Sequence, residues 1–137
     1  MAGGALPHRL GLSESVLIFR QHTEFYGGLE RLLATLSSLK MELPEHKIMV
    51  EAETADEALR ITIAGADVVQ LDKLPPAELK PLIAQLRAVA PSITISAAGG
   101  INAQNAADYA ATGVDILVLS SPYFGKPADI KVIMTSH

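Results

Sequence analysis

Two acidic residues follow apolar stretches of this sequence, at positions where a metal ion or sugar hydroxyls can bind. Glu51 lies near the end of the strand-like stretch Lys47–Glu53, and Asp72 directly follows Val68–Leu71. Ligands of α/β proteins bind at the carboxyl ends of parallel strands. Two carboxylates there can hold a divalent cation or the hydroxyls of a ribose, so both residues are candidate catalytic and metal-binding groups. The pattern equally allows solvated charges at the start of loops.

A glycine pair at positions 99 and 100 is a candidate phosphate site. It separates an apolar stretch from a helix that Asn102 is predicted to cap. Glycines let backbone N–H groups approach a phosphate, and a helix N-terminus adds a partial positive charge. Two serines after the next strand can donate to the same phosphate, although ordinary turns use the same residues. The predicted phosphate-binding residues are Gly99, Gly100, Ser120 and Ser121.

Basic residues near the amino end are candidates for binding an acidic substrate. Arg9 can clamp a carboxylate with two parallel hydrogen bonds, and His8 can donate one. His22 follows the first strand, with Arg20 beside it. On composition alone, surface residues without a ligand are the commoner interpretation of such side chains. The candidate substrate-binding residues are His8, Arg9, Arg20 and His22.

A repeated pattern predicts the strands that must position these residues. Ala64–Asp72 and Thr112–Ser120 start 48 residues apart, and each has a Gly that closes a helix, an Asp at a turn and a buried strand. Strands that alternate with helices imply right-handed crossovers and a parallel sheet. The predicted strands are Ser15–Phe19, Lys47–Glu53, Val68–Leu71, Ile93–Ala97, Asp115–Leu119 and Asp129–Met134. The predicted helices cover about 28–40, 54–64, 75–89 and 102–112.

Composition limits the class of protein. A chain of 137 residues forms one domain but is short for a complete eightfold barrel, which needs roughly 250 residues. The absence of cysteine excludes disulfides and thiol catalysis. A net charge of −4 with no basic run argues against nucleic acid as a partner. With no membrane-length apolar stretch and no signal-peptide pattern, we expect a soluble cytoplasmic protein that does not bind membranes.

Taken together, these motifs resemble the C-terminal half of the quinolinate phosphoribosyltransferase (nicotinate-nucleotide pyrophosphorylase) family. Within that family the sequence looks most like the ModD branch, which is associated with molybdenum-uptake operons. The matching motifs, in order, are Gly3–Leu12, Val16–His22, Lys47–Glu53, Ala64–Asp72, Ala98–Ile101 and Thr112–Asp115. The resemblance implies an α/β fold in which residues 1–137 form the C-terminal part of an incomplete TIM-like barrel.

The resemblance also implies an activity. Phosphoribosyl would be transferred from phosphoribosyl pyrophosphate (PRPP) to the ring nitrogen of a carboxylated heterocycle, with Mg²⁺ and loss of pyrophosphate. Glu51 and Asp72 would hold the ribose hydroxyls and the metal, and the glycine and serine pairs the 5-phosphate. His8 and Arg9 would grip the carboxylate of the acceptor. The implied partners are these small molecules and a second copy of the chain in a homodimer.

The sequence departs from the family pattern at several positions. The family's lysine at the first strand is Phe19 here, with Arg20 beside it, which argues against quinolinate as the acceptor. The acid and the serine of the family's glycine segment are Ser96 and Ala98. The family's N-terminal domain and first barrel strand have no counterpart, so we expect an incomplete barrel, and both a curved open sheet and a closed barrel stay open at this level.

Two other functions stay open at this level. A truncated, non-catalytic barrel fragment, acting as a phosphate-binding or interaction module, would expose an apolar sheet edge at Ser15–Phe19. A different phosphosugar enzyme, of the thiamin-phosphate or isomerase type, would need a base at another strand end. His22 and Lys73 are the candidates for that base.

Overall fold

The computed structural model describes residues 4–135 and contains a five-stranded parallel sheet. The strands are hydrogen-bonded in their order along the chain, each parallel to its neighbours. This confirms the predicted α/β class with parallel strands. The strands are β1 (Val16–Ile18), β2 (Ile48–Ala52), β3 (Val68–Asp72), β4 (Thr94–Ala98) and β5 (Ile116–Leu117).

Five helices connect or follow the strands. They are α1 (Arg20–Tyr26), α2 (Leu29–Glu42), α3 (Ala55–Ile63), α4 (Pro76–Val89) and α5 (Ala106–Ala110), and a short 3₁₀ helix follows at Ser121–Phe124. Thr54 caps the start of α3, because its side chain accepts from Glu57 N–H, and the Glu57 carboxylate accepts from Glu53 N–H just before the cap. Among the residues described, no helix is long and apolar enough to cross a bilayer.

Four predictions of secondary structure are wrong. The strand predicted at Asp115–Leu119 is limited to Ile116–Leu117. The first strand ends at Ile18, and a helix that was not predicted, α1, follows it. The last helix begins at Ala106, because Asn102 belongs to a preceding turn in which its side chain accepts from Gln104 N–H. Asp129–Met134 forms no strand, because none of the strands within residues 4–135 lies beside it to hydrogen-bond with it.

The two faces of the sheet have different character. Val50, Val69 and Ile95 point to one face and are completely buried in a core that the apolar faces of the helices complete. The helical residues of this core that are wholly buried are Leu36, Ala58, Ile61, Leu79 and Leu86. Side chains alternate along a strand, so the residue next to each of these three on its own strand points to the opposite face. That face carries the polar row, which we define as Glu51, Gln70 and Ser96, side by side on β2, β3 and β4.

The repeated Asp holds the amino ends of neighbouring strands together. Asp67 precedes β3, and its Oδ2 accepts from Ile48 N–H of β2 at 2.8 Å. Its Oδ1 accepts from Lys40 Nζ of α2 at 2.6 Å, and the same ammonium donates to the Gly65 carbonyl at 2.9 Å. One carboxylate therefore joins two strands and a helix.

The second repeat has the same arrangement. Asp115 precedes β5 and accepts from Ile95 N–H of β4 at 2.8 Å. Arg87 of α4 donates to Asp115 at 2.8 Å and to the Gly113 carbonyl at 3.0 Å. We call each arrangement an aspartate clamp. The sequence repeat thus records a structural element that the spacing alone did not reveal.

One edge of the sheet lies beside an apolar groove. Among the described strands, β1 pairs with β2 alone and leaves its other edge free. The groove has a volume of about 260 Å³ and lies along β1, α1 and α2. Its apolar lining includes Val16, Leu17, Ile18, Leu32 and Leu39. The expected apolar edge at Ser15–Phe19 is therefore present.

The clamp predicts how acid affects stability. Burial opposes ionisation of Asp67, but hydrogen bonds from Ile48 N–H and Lys40 Nζ outweigh it, so the pKa of Asp67 lies below its ordinary value. Asp67→Asn keeps the shape and removes the charge, and should lower the free energy of unfolding by about 1–2 kcal/mol at pH 7. Because the folded pKa is depressed, this contribution is present above the ordinary pKa and is lost as the pH falls through the folded value. Urea unfolding at pH 7 and at about pH 3 measures both effects.

Glu45→Gln is the matched control, because Glu45 is an exposed acid in the turn before β2. It should leave the free energy of unfolding unchanged at both pH values. An equal loss in the control, or a deficit in Asp67→Asn that is as large at pH 3 as at pH 7, would contradict the role of the clamp.

Candidate functional site

The predicted acid pair lies on one face and at one end of the sheet. Glu51 on β2 is directly beside Gln70 on β3, and its Oε2 accepts from Gln70 Nε2 at 3.2 Å. Asp72 is two residues further along β3 and therefore on the same face. The structure brings Glu51 and Asp72 together, with Gln70 directly beneath Asp72 on the same strand. This arrangement can bind cations or hydroxyl groups.

Glu51 is held in an environment that disfavours its charge. Burial raises the pKa of Glu51, and the nearby charges of Asp72 and Glu53 raise it further. The Gln70 amide acts in the opposite direction but does not cancel these effects. A cation or a set of hydroxyl donors placed between the carboxylates would relieve the repulsion. The site therefore gains stability from the ligands that two carboxylates prefer.

Gly99 allows the loop after β4 to pack against Asp72. Its φ is +87°, and a Cβ there would lie 2.7 Å from Asp72 Oδ1 and 2.9 Å from Lys73 N. Lys73 N–H donates to the Ala98 carbonyl at 2.8 Å, and Lys73 Nζ donates to Asp72 Oδ2 at 2.7 Å. Only glycine fits both this backbone conformation and this space. The predicted phosphate loop and the acid on β3 are thus in direct contact.

The remaining predicted phosphate residues follow neighbouring strands. Gly100 continues the loop with φ +73° and open space at its Cα. Ser120 and Ser121 follow β5, which pairs with β4. The contribution of a helix N-terminus is weaker than expected, because α5 starts at Ala106 and has five residues. Phosphate binding by the glycine and serine pairs stays a prediction.

Arg20 is the predicted substrate-binding residue that contacts an acid of this site. Its guanidinium donates to Glu53 Oε2 at 2.6 Å. Glu51, Glu53 and Arg20 line a small cleft of about 30 Å³, together with Thr23, Leu29 and Glu57. The cleft is large enough for a water molecule or a bare cation.

The other three predicted substrate-binding residues lie elsewhere in the described chain. Arg9 donates to the Ser15 carbonyl at 3.2 Å, at the amino end of β1 and thus at the opposite end of the sheet from the acids. His8 is next to it and exposed. His22 Nδ1 accepts from Phe19 N–H at 2.9 Å, and its ring lines the apolar groove. Their contact with an acceptor stays a prediction.

The sequence interpretation missed Gln70. The stretch Val68–Leu71 was treated as wholly apolar, but Gln70 is polar, buried and in contact with Glu51. The sequence contained a signal for this contact, because side chains alternate along a strand and residues 70 and 72 therefore point to the same face of β3. A polar residue in phase with an acid at a strand end indicates a polar face.

The carboxylates fit Mg²⁺ only if a ligand completes its coordination. Between residues 4 and 135 there is no group of three or more His, Asp or Glu side chains able to hold a metal ion. Mg²⁺ in proteins is commonly bound by one or two carboxylates together with waters and substrate phosphates. Glu51 and Asp72 can supply such a pair.

Comparison with known proteins points to one family. Residues 1–132 match the model of the family described as "Quinolinate phosphoribosyl transferase, C-terminal domain". A protein of Pasteurella multocida named "Putative pyrophosphorylase ModD" is 37% identical over 134 residues, which are 98% of this chain and 48% of that protein. The "Nicotinate-nucleotide pyrophosphorylase [carboxylating]" of Rattus norvegicus is 33% identical over 93% of this chain and 42% of its own length.

Solved structures agree with the sequence comparison. The nicotinate-nucleotide pyrophosphorylase from Francisella tularensis superposes with a TM-score of 0.72 at 26% identity, covering 84% of this chain and 39% of that one. The chain spans about half the length, or less, of the curated relatives it matches. The expected incomplete α/β barrel is confirmed.

The two glycines of the loop provide a matched test of the packing around Asp72. Alanine at either position costs about 1–2 kcal/mol, because both have positive φ. Only at position 99 does the added Cβ collide with Asp72 and with the backbone of Lys73, so Gly99→Ala should cost about 1–3 kcal/mol more than Gly100→Ala. Urea unfolding of both variants measures the difference. Equal losses would show that the loop does not pack against Asp72.

Proposed function

Because the chain belongs to the quinolinate phosphoribosyl transferase C-terminal domain family, we propose that it carries the phosphoribosyl half-site of a PRPP-dependent transferase. The observation that carries this proposal is the position of Glu51 and Asp72 on one face, at the carboxyl ends of neighbouring strands and against the Gly99 loop. This arrangement has carboxylates for the sugar next to a glycine loop for its phosphate.

The proposed reaction replaces one bond at the anomeric carbon of the sugar with another. The bond from C1 to the pyrophosphate oxygen breaks, and a bond from C1 to a ring nitrogen of the acceptor forms. Positive charge develops on the sugar in the transition state, and fixed carboxylates near it stabilise that charge. Glu51 and Asp72 are the groups proposed for this role, and burial of Glu51 strengthens its field.

Glu51 and Asp72 are also the proposed Mg²⁺ ligands. Mg²⁺ held there would neutralise negative charge on the pyrophosphate. Gly99, Gly100, Ser120 and Ser121 are the proposed contacts of the 5-phosphate. Both sets lie at the carboxyl ends of strands β2 to β5, so one PRPP molecule can reach both.

The proposed acceptor is a carboxylated nitrogen heterocycle other than quinolinate. The support is the absence of the family's lysine, whose place Phe19 takes, and the exposed Arg20 beside the acids. His22 is a further proposed contact of the acceptor, whereas Arg9 and its neighbour His8 lie at the opposite end of the sheet from the acids and cannot reach the same molecule within one copy of the chain. The relatives named "Putative pyrophosphorylase ModD" support a ModD-like role, and we propose an association with molybdenum uptake in the cytoplasm on that basis.

Calorimetry with PRPP and Mg²⁺ tests the half-site. We expect saturable binding by the parent chain, and binding weaker by roughly tenfold or more in Glu51→Ala and in Asp72→Ala, because each loses charge-assisted contacts. Glu45→Ala is the control, since Glu45 is an exposed acid in a turn before β2. Circular dichroism should show that all three variants are folded.

A folded parent that binds no PRPP would refute the half-site. Binding that is equally strong in the parent and both acid variants would refute the roles of Glu51 and Asp72.

A second candidate function is interaction with another polypeptide through the free edge of β1. The chain also contains an apolar segment without a partner, because Ile130, Val132 and Ile133 are each at least 80% exposed. An unpaired edge strand and an exposed segment of strand-like sequence can pair between copies. We propose a homodimer in which Asp129–Met134 of one copy lies along β1 of the other.

Sedimentation tests the homodimer. The parent should sediment as a dimer, and either Leu17→Lys, in the groove, or Val132→Lys, in the segment, should convert it to a monomer by placing a charge in the apolar interface. Leu12→Lys is the control, because Leu12 is exposed outside both elements. A monomeric parent would contradict the homodimer.

A further inference from the structure

Gln70 carries the one buried side-chain oxygen or nitrogen, among the described residues, that has no hydrogen-bond partner. The residue is only 3% exposed, and its Oε1 makes no hydrogen bond. A buried acceptor without a donor is rare in folded proteins, and one beside a carboxylate of the candidate site suggests a missing ligand group. The question is which donor the site is built to receive.

The side chains next to Gln70 cannot supply this donor. Glu51 accepts the amide N–H₂ of Gln70 at 3.2 Å, and that bond fixes the amide with its oxygen turned away from the carboxylate. The reversed amide would place two oxygens face to face, which an ionised Glu51 disfavours. Ser96, on the other side of the polar row, directs its hydroxyl toward the Val69 carbonyl at 3.5 Å.

We propose that Gln70 Oε1 accepts a hydrogen bond from a hydroxyl of a bound pentose 5-phosphate, so that Gln70 is a specificity-determining residue of the site. This rests on the proposed phosphoribosyl half-site. A pentose that places one hydroxyl on Glu51 carries its neighbouring hydroxyl toward Gln70 Oε1, because Nε2 of the same amide is 3.2 Å from the Glu51 carboxylate. A hydroxyl both donates and accepts, so it can serve the orphaned oxygen without repelling its neighbours.

The position of Gln70 also selects which end of the ligand binds there. A phosphate oxygen is an acceptor, and it would meet the Gln70 oxygen and two carboxylates. The hydroxyl groups of the sugar, in contrast, can donate hydrogen bonds to the Gln70 oxygen and to the carboxylates. The polar row therefore orients the pentose toward β2 and β3, and leaves its phosphate at the glycine loop after β4.

Calorimetry with two ligands, in buffer without divalent metal, tests this assignment. Ribose 5-phosphate carries the hydroxyls and inorganic phosphate does not. Gln70→Met keeps the size and removes both polar atoms, and Gln85→Met changes an exposed glutamine as the control. We expect Gln70→Met to weaken ribose 5-phosphate binding about three- to tenfold and to leave phosphate binding unchanged.

Comparison of the two ligands separates ligand contact from a purely structural role. Gln70→Met also removes the hydrogen bond from Nε2 to Glu51, so it should lower Tm by a few degrees. Damage to the fold would weaken both ligands together, whereas loss of the contact with the sugar weakens ribose 5-phosphate alone. A second measurement uses the unmodified chain. The side-chain amide resonances of Gln70 should shift when ribose 5-phosphate is added and stay in place when phosphate is added.

Three results would overturn the proposal, and they are distinguishable. Equal binding of ribose 5-phosphate by the parent and Gln70→Met would overturn the role of Gln70 and leave the half-site intact. Parallel loss of both ligands would assign Gln70 to structure alone. A folded parent that binds neither ligand would refute the phosphoribosyl half-site itself, and the role of Gln70 with it.

Discussion

The two aspartate clamps fix the register of the sheet, and the site depends on that register. Asp67 ties the start of β2 to the start of β3, and Asp115 does the same for β4 and β5. Successive side chains of a strand point to opposite faces, so a slip by one residue would turn Glu51 or Asp72 into the apolar core. Clamps at the amino ends of the strands thus determine which side chains meet at the carboxyl ends.

The polar row shows a compromise between stability and binding. A buried acceptor without a partner costs about 1–3 kcal/mol, and Glu51 carries its charge beside two other acids. An apolar row would make a more stable sheet. The polar side chains are retained where a ligand can satisfy them, as is common for sites that are arranged before their ligand arrives.

The sequence predicted those parts of the fold that local rules specify. The repeats gave β3 and β5, because a Gly that ends a helix and an Asp before an apolar run are local signals. Helix α1 was missed because its first turn is closed by a bond from Phe19 N–H to His22, which no common capping residue announces. The prediction of a strand at Asp129–Met134 was wrong, because a strand-like sequence forms a strand only where another strand lies beside it, and the sequence pattern does not show whether one does.

The candidate site could be predicted in part for the same reason. Glu51 and Asp72 come together because both end neighbouring parallel strands, a consequence of topology. The contact of Gly99 with Asp72 and the burial of Gln70 depend on distances of a few ångströms between different strands, and spacing along the chain carries no such information. Arg9 illustrates the limit, since its guanidinium lies at the other end of the sheet from the acids.

The unequal lengths of the strands determine which part of the molecule opens most readily. The outer strands β1 and β5 have three and two residues, whereas β2, β3 and β4 have five each and lie between two neighbours. Local opening begins where few hydrogen bonds must break, so the edges exchange their amide hydrogens before the centre does. Glu51, Gln70 and Asp72 all lie on the central strands. The proposed sugar site therefore belongs to the slowest-opening unit of the chain, and the serines after β5 belong to one of the fastest.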